Sequence, residues 1–201
     1  MITPDQALAR LKKGNEDFLS DNIAVQQTGH ERRLEIALGQ EPFAILVGCS
    51  DSRVPPEYLF GAGLGELFIV RNAGSSVDDL ALGSIEFAVQ ALGAPLIVVL
   101  GHQRCGAVQA AVEHVCDGTR FPGSMEKMIK PIIPAVESAR ASTASGEEAL
   151  LNAATRENVR QIVERLRGSE PLIRGAVSEG RLRVVGAEYN LDKGEVDFFI
   201  E

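Results

Sequence analysis

Cysteine is scarce in this sequence: three of the 201 residues are cysteines, at positions 49, 105 and 116. An odd number cannot pair completely into disulfides, and a chain of this length can bury a large core without such cross-links. Thiols that stay reduced serve mainly as metal ligands or reactive groups. The cysteine content therefore indicates a reducing compartment, and Cys116 is expected to be a plain buried or half-buried thiol.

Long apolar runs are missing as well. The longest purely aliphatic stretch covers residues 96–100, whereas a membrane-spanning helix needs about 20 apolar residues. The first ten residues lack the basic segment and the apolar stretch that mark a secretory signal. We therefore expect a cytoplasmic protein that does not associate with membranes.

Positive charge is in the minority, because 20 Lys and Arg residues against 28 Asp and Glu residues give a formal net charge of −8. No basic block stands out, and an acidic surface repels polyanions, so we expect no nucleic-acid partner. The proportions of hydrophobic residues, 45%, and charged residues, 24%, are ordinary for a globular protein. We expect residues 1–201 to form a single domain.

Apolar runs of strand length recur along the chain. Residues 43–48 and 95–101 are almost uninterrupted apolar stretches that end in glycine, which is typical of buried parallel strands. Similar patterns predict strands at 66–70 and 182–187, and the alternation in 195–200 predicts an antiparallel edge strand. The sequence therefore predicts an α/β fold: a mostly parallel central β-sheet flanked by helices, with an antiparallel C-terminal edge strand.

Helical patterns occupy the connections between these strands. Residues 1–35 are predicted to form an N-terminal helix and arm; Thr3 and Gln6 match a capping box, and the arm is expected to pack on a partner subunit. Another helix is predicted over 77–92, and two or three helices over 124–168. The residues of the 77–92 helix expected to face the sheet are Leu80, Ile85, Phe87, Ala88 and Leu92.

Polar motifs follow the two most apolar strands, CSDSR at 49–53 and HQRCG at 102–106. Because the carboxyl ends of parallel strands meet at one edge of a sheet, Cys49, His102 and Cys105 are expected to lie together. Two thiolates and an imidazole suit zinc, and three protein ligands leave a fourth position open, as in a catalytic site. The remaining cysteine lies three helical turns further on, about 16 Å away, too far to be a fourth ligand.

Asp51 and Arg53 lie two and four residues after Cys49. The arginine fork can hold the carboxylate bidentately and away from the metal; without it, Asp51 could become a fourth ligand in an inactive state. Each feature also has a simpler interpretation, since a cysteine can be a small core residue, a histidine structural, and an Asp-x-Arg pair a loop-holding ion pair. Their occurrence together after two apolar strands favours the catalytic interpretation.

In these motifs the sequence resembles the β class of carbonic anhydrases. Four segments between about residues 40 and 111 carry the resemblance in order and spacing: CSDSRVP, GELFIVRNAG, SIEFAV and GHQRCGAV. The resemblance implies a carbonate hydro-lyase (EC 4.2.1.1) in which zinc-bound hydroxide attacks CO₂ to give bicarbonate and a proton. It also implies one Zn²⁺ per chain on Cys49, His102 and Cys105, Asp51 and Arg53 as a catalytic dyad, and a homodimer or homotetramer.

The resemblance extends to substrate-binding residues of the plant-type members. Gln40 and Phe68 stand nine residues before and nineteen residues after the first zinc cysteine, where plant-type members line their pocket across the dimer interface. Phe87 replaces the tyrosine usual in the family, and the backbone N–H of Gly106 is expected to assist substrate binding. Leu46 stands where a tryptophan marks the subgroup with a regulatory bicarbonate site, so no such regulation is expected.

Two other functions stay open on the sequence alone. Relatives of this fold hydrolyse COS or CS₂, and the loss of the tyrosine hydroxyl at Phe87 could favour a more apolar substrate. A noncatalytic zinc or thiol-redox protein is the other alternative. It predicts four-ligand zinc or none, and the intact pair of Asp51 and Arg53 argues against it.

Overall fold

The computed structural model describes residues 2–22, 28–142 and 146–201. The central part of the predicted arm, residues 23–27, lies outside these ranges. The strands are β1 (Ala44–Cys49), β2 (Leu67–Asn72), β3 (Leu96–His102), β4 (Arg183–Tyr189) and β5 (Val196–Ile200). The helices are α1 (Pro4–Leu19), α2 (His30–Ile36), α3 (Pro56–Leu59), α4 (Asp79–Gln90), α5 (Gly106–Asp117), α6 (Met125–Ile129), α7 (Ile133–Ser142), α8 (Glu147–Arg167) and α9 (Leu172–Ser178). No helix within the described ranges is long and apolar enough to cross a membrane.

The five strands form one sheet in the order β2-β1-β3-β4-β5. β1 pairs in parallel with β2 and β3, β3 pairs in parallel with β4, and β5 is antiparallel to β4. This arrangement confirms the predicted α/β fold with an antiparallel C-terminal edge strand. Its consequence for function is that β1 and β3, the two most apolar strands, are neighbours and end side by side.

Both faces of the sheet are covered by helices. Every residue of β1 and β3 is buried, and alternate side chains belong to two separate clusters. Ile45 and Val99 pack with α4, α8 and α9 on one face, whereas Leu46 and Val98 pack with α1 on the other. Burial on both faces is the reason that these strands have continuous apolar sequences rather than alternating ones.

The N-terminal helix begins as predicted. Thr3 Oγ1 accepts a hydrogen bond from the backbone N–H of Gln6 at 3.2 Å, and Gln6 Oε1 accepts one from the backbone N–H of Thr3 at 2.9 Å. This reciprocal pair satisfies two N–H groups that the first turn would otherwise leave free. Leu8 and Leu11 of the same helix are buried against the sheet.

Helix α4 differs from its predicted orientation. Ile85 and Ala88 are buried against the sheet as predicted, and Leu92 packs partly on the same cluster. Leu80, however, is 83% exposed and Phe87 is 54% exposed. These two residues are seven apart, so they form a second apolar stripe beside the one that faces the sheet. The prediction that they face the sheet is wrong, and together they leave an apolar surface on this helix.

One further prediction needs correction, and one helix lies outside the predicted elements. Cys116 is exposed rather than buried or half-buried, because it lies in the last turn of α5, two residues before the C-cap Gly118. Helix α9 was not expected from the sequence. It is short, and its N-cap residue, Pro171, makes no side-chain capping hydrogen bond, so its start carries none of the usual capping signals.

Helix α8 lies close to the sheet at Gly186 of β4. A Cβ added at Gly186 would lie 2.9 Å from Val159 Cγ1 and 3.0 Å from Ile200 Cδ1. We expect Gly186→Ala to lower the free energy of unfolding by about 1–3 kcal/mol, because the helix must shift or these side chains must leave their rotamers. Urea unfolding measures the change.

Gly175→Ala is the matched control for this prediction. Gly175 lies within α9, and apart from its chain neighbours and the helix's own backbone nothing described lies within 4 Å of an added Cβ. This variant should be neutral or more stable by up to about 1 kcal/mol, because alanine has the higher helix propensity. If Gly186→Ala proved as stable as Gly175→Ala, the close approach of α8 would be contradicted.

Candidate active site

Cys49, His102 and Cys105 lie together at the carboxyl ends of β1 and β3. Cys49 ends β1, His102 ends β3, and Cys105 is the N-cap of α5, whose first residue is Gly106. The ligand atoms of the three residues all lie within 4.8 Å of one another, and the two Sγ atoms are 3.9 Å apart. All three side chains are buried. The fold thus brings together the three residues that the sequence predicts to meet.

The ring of His102 is held as a metal ligand requires. Its Nδ1 lies 2.9 Å from the backbone carbonyl of Gln103, and because a carbonyl only accepts, we assign the proton to Nδ1. The Nε2 atom is buried and has no hydrogen-bond partner among the described residues. A cation between Nε2 and the two sulfurs would satisfy this lone pair, and a donor set of two sulfurs and one imidazole nitrogen fits zinc.

Of the two thiols, one ionises readily and the other resists ionisation. The pKa of the Cys49 thiol is lowered to about 4, chiefly because the Cys105 thiol donates a hydrogen bond to it. The pKa of Cys105 is raised, because its hydrogen bond to Cys49 retains its proton and burial disfavours a second thiolate. A divalent cation would make the second ionisation favourable, since it binds both sulfurs as thiolates.

Asp51 and Arg53 form a close ion pair beside these ligands. Arg53 Nε donates to Asp51 Oδ1 at 2.9 Å, Arg53 Nη2 donates to Oδ2 at 2.7 Å, and the backbone N–H of Arg53 donates to Oδ1 at 2.9 Å. These bonds hold the pKa of Asp51 well below its usual range. Asp51 Oδ2 lies 3.9 Å from His102 Nε2. An ionised carboxylate, oriented by Arg53, therefore stands next to the ligand group.

Arg71 supports the backbone of the loop that follows β1. Its Nε donates to the carbonyl of Cys49 at 2.8 Å, and its Nη2 donates to the carbonyl of Asp51 at 2.7 Å. Arg71 lies on β2 beside Gly48, so its side chain reaches across the end of β1. Sequence reasoning gave Arg71 a place in a motif but no function. The only hint in the sequence is a general one: backbone carbonyl groups beyond the end of a strand need hydrogen-bond donors, and a nearby arginine can supply them.

Arg71→Gln is expected to lower about 10–100-fold the rate of the CO₂ hydration that the sequence resemblance implies, because residues that orient metal ligands have effects of this size. Glutamine is too short to reach both carbonyls, so Cys49 and Asp51 lose their shared support. Arg167→Gln is a matched control, since Arg167 also donates from Nε and Nη2 to a backbone carbonyl, that of Val184. Equal rates in the two variants, compared at equal zinc content, would contradict a positioning function for Arg71.

Of the four predicted substrate-binding residues, Gly106 directly follows Cys105, whereas the other three lie apart from the ligand group within one chain. Phe68 is four residues upstream of the β2 residue that pairs with Cys49, which places it about 13 Å back along the strand. Gln40 precedes β1 and is exposed. The rings of Phe87 and Phe68 lie 6.4 Å apart between centroids, so these two residues belong to one apolar patch. Gln40, Phe68 and Phe87 are therefore not part of the ligand group of their own chain.

Comparison with known proteins agrees with this site. The sequence profile of the family described as carbonic anhydrase matches residues 44–196. Carbonic anhydrase 2 of Mycobacterium tuberculosis is 38% identical over 191 residues, which cover 95% of this chain and 90% of that protein. The carbonic anhydrase of Mycolicibacterium smegmatis is 36% identical over 194 residues, covering 96% of this chain and 92% of that protein.

Solved structures give the same result. The Coccomyxa β-carbonic anhydrase in complex with acetazolamide has a TM-score of 0.76 and 27% identity, covering 96% of this chain and 86% of that one. A tetrameric β-carbonic anhydrase from Sordaria macrospora has a TM-score of 0.74 and 28% identity, covering 83% and 84% of the two chains. With its Cys-His-Cys group at the sheet edge, the chain belongs to the carbonic anhydrase family, in its β class.

Proposed function

We propose that the chain catalyses the reversible hydration of carbon dioxide to bicarbonate and a proton, with one zinc ion held by Cys49, His102 and Cys105. The observation that carries this proposal is the unpartnered, buried Nε2 of His102, which lies with two sulfurs among the described residues. Structural zinc sites are normally closed by four protein ligands, whereas this group supplies three. The fourth position is then open to water or substrate.

Zinc, when bound, supplies Lewis-acid chemistry: it lowers the pKa of a water molecule in the open position toward neutrality. The chain's own residues supply orientation. The Gln103 carbonyl fixes the ring of His102 through Nδ1. Asp51 Oδ2 lies 3.9 Å from His102 Nε2, and it would accept a hydrogen bond from a hydroxyl group held beside the three ligands. Because Arg53 keeps Asp51 ionised, this carboxylate acts as an acceptor and not as a donor.

We also propose that Gln40, Phe68 and Phe87 complete the active site of a second copy, in a homodimer or homotetramer. Their distance from the ligands of their own chain supports this proposal, and so does the surface around β2. Among the described strands, β2 has a neighbour on one side only, and the other side of such an edge strand can pair with another chain. Six large apolar side chains are exposed on α2, on the turn after it, on α3 and α4, and on the loop before β2: Leu34, Leu38, Tyr58, Leu64, Leu80 and Phe87.

The relatives from Sordaria macrospora are described as tetrameric, which agrees with an oligomer here. Sedimentation velocity on the zinc-loaded protein tests the proposal. A chain that sediments as a monomer at concentrations where it is fully active would contradict it, because the substrate-binding residues would then have no site to complete.

A cytoplasmic location belongs to the same proposal. Two sulfurs 3.9 Å apart stay available as zinc ligands in a reducing compartment, whereas an oxidising one favours a disulfide. Fractionation of cells into periplasmic or secreted and cytoplasmic pools tests this, and recovery outside the cytoplasm would contradict it.

Stopped-flow measurement of CO₂ hydration from about pH 6.5 to 9 tests the reaction itself. We expect rapid turnover that needs about one zinc per chain and rises with pH. COS and CS₂ hydrolysis are measured on the same zinc-quantified sample. Negligible CO₂ hydration at full zinc occupancy would overturn the proposal, and turnover of COS or CS₂ in its place would assign the alternative hydrolase function.

A further inference from the structure

Arg104 has a backbone conformation that needs support. Its φ is +51°, in the left-handed region that residues other than glycine rarely occupy. Arg104 belongs to the two-residue link between His102, at the end of β3, and Cys105, at the start of α5. This link brings Nε2 of His102 and Sγ of Cys105 within 4.8 Å of each other. Such a conformation persists where surrounding contacts hold it.

The side chain of Arg104 is held by Asp192. Arg104 Nη1 donates to Asp192 Oδ2 at 2.8 Å, and Nη2 donates to Oδ1 at 2.7 Å, which is a bidentate arrangement with defined orientation. Asp192 lies in the turn between β4 and β5. In that turn, Asn190 Oδ1 accepts hydrogen bonds from the backbone N–H groups of Asp192 and Lys193, both at 3.0 Å. The carboxylate is thus presented by an ordered turn.

Helix α1 fixes the same turn from the other side. Asn15 is 5% exposed; its Nδ2 donates to the carbonyl of Gly194 at 3.0 Å, and its Oδ1 accepts from the backbone N–H of Val196 at 2.9 Å. A buried side chain that satisfies two backbone groups limits how far the turn can move. The turn that carries Asp192 is therefore a fixed anchor for Arg104.

The backbone of Arg104 also contacts the ion pair of the active site. Its carbonyl accepts from Arg53 Nη2 at 3.5 Å, and the same Nη2 atom donates to Asp51 Oδ2 at 2.7 Å. The longer contact biases the direction of the Arg53 guanidinium. If the turn at Arg104 relaxed, the sulfur of Cys105 would move relative to His102, and the guanidinium would lose one of its acceptors.

We propose that Asp192 is a positioning residue: through Arg104 it holds the left-handed turn between His102 and Cys105, and with it the metal ligands and Arg53. This inference rests on the proposed zinc-dependent reaction. The side chains of Arg104 and Asp192 are 48% and 68% exposed, and exposed ion pairs contribute little to the stability of a fold. Loss of the pair should therefore affect the site more than the stability of the protein.

Asp192→Ala, compared with Glu126→Ala, tests the inference. The control removes another exposed pair, between Arg120 and Glu126 at 3.1 Å. We expect kcat to fall about tenfold in Asp192→Ala only, with about one zinc per chain and equal unfolding midpoints in the two variants. In the cobalt-substituted protein, the sulfur-to-metal absorption bands should shift in Asp192→Ala and stay unchanged in Glu126→Ala.

The double variant Asp192→Ala with Arg104→Gly tests whether Asp192 acts by holding the left-handed backbone conformation at position 104. Glycine adopts the left-handed conformation without steric cost, so it should restore the cobalt spectrum and bring kcat back to within about threefold of wild type. An unchanged kcat and spectrum in Asp192→Ala, or a double variant no better than Asp192→Ala, would overturn the inference. If wild type itself does not hydrate CO₂, the proposed function fails. The cobalt spectra do not depend on turnover, so they still show whether Asp192 positions the metal ligands.

Discussion

Cys105→Ser is expected to remove bound zinc and to lower the rate of CO₂ hydration on the order of a thousandfold. A serine hydroxyl is not ionised at neutral pH, so the donor set falls to one sulfur and one nitrogen. The fold should survive this change. Cys105 is the N-cap of α5 and makes no side-chain capping hydrogen bond, whereas serine is a preferred N-cap residue. Helix α5 should therefore start at the same place.

Cys116→Ser is the matched control for this prediction, because it makes the same chemical change at an exposed thiol on the same helix. Zinc content is measured by metal analysis after dialysis, turnover by stopped flow, and helicity by circular dichroism. We expect Cys116→Ser to match wild type in all three measurements. Full zinc occupancy in Cys105→Ser, or an equal loss in both variants, would refute the assignment of Cys105 as a ligand.

The ligand group could be predicted because its determinants are local. Each ligand follows an apolar run long enough to identify a buried strand, and parallel strands in one sheet end at one edge. What the sequence pattern leaves open is whether the two strands are neighbours. The structure answers this with the pairing of β1 and β3. The capping box at Thr3 and Gln6 was predictable for the same reason, since its signal lies within four residues.

The supporting contacts could not be predicted, because they join distant parts of the chain. Arg71 reaches Cys49 across 22 positions, and Arg104 reaches Asp192 across 88 positions. An exposed arginine has many carboxylates and carbonyls to choose from, and only the fold selects one. The orientation of Phe87 was missed for a different reason: α4 has two apolar stripes, and the helical period alone does not tell which one faces the sheet.

Asp51→Asn is expected to lower kcat on the order of a hundredfold while about one zinc per chain stays bound. Asparagine has nearly the same volume, but it carries no charge and has one acceptor oxygen. Asp51 accepts from Arg53 with both oxygens, so in the variant one position becomes a donor that faces another donor. The guanidinium then loses its bidentate partner, and the site loses the acceptor that lies 3.9 Å from His102 Nε2.

Asp5→Asn is the control for the same substitution at a distance from the site. Asp5 pairs with Arg183 at 2.6 Å, and Arg183 lies beside Leu96, at the opposite end of β3 from His102. This variant should keep the turnover of wild type. Loss of zinc from Asp51→Asn, or equal turnover in the two variants, would show that the carboxylate of Asp51 does not act in the reaction as proposed.

Arg53→Ala tests whether Arg53 only orients the Asp51 carboxylate or also keeps it away from the metal. Without the fork, Asp51 Oδ2 is close enough to the ligand group, at 3.9 Å from His102 Nε2, to join it as a fourth donor. We expect kcat of this variant to fall on the order of a hundredfold, as in Asp51→Asn. We also expect it to retain zinc more firmly against a chelator, because four ligands close a zinc site.

Adding Asp51→Asn to Arg53→Ala should abolish the extra zinc retention. Zinc that leaves Arg53→Ala as readily as it leaves the double variant would mean that Asp51 does not reach the metal, and Arg53 would then act by orienting the carboxylate alone.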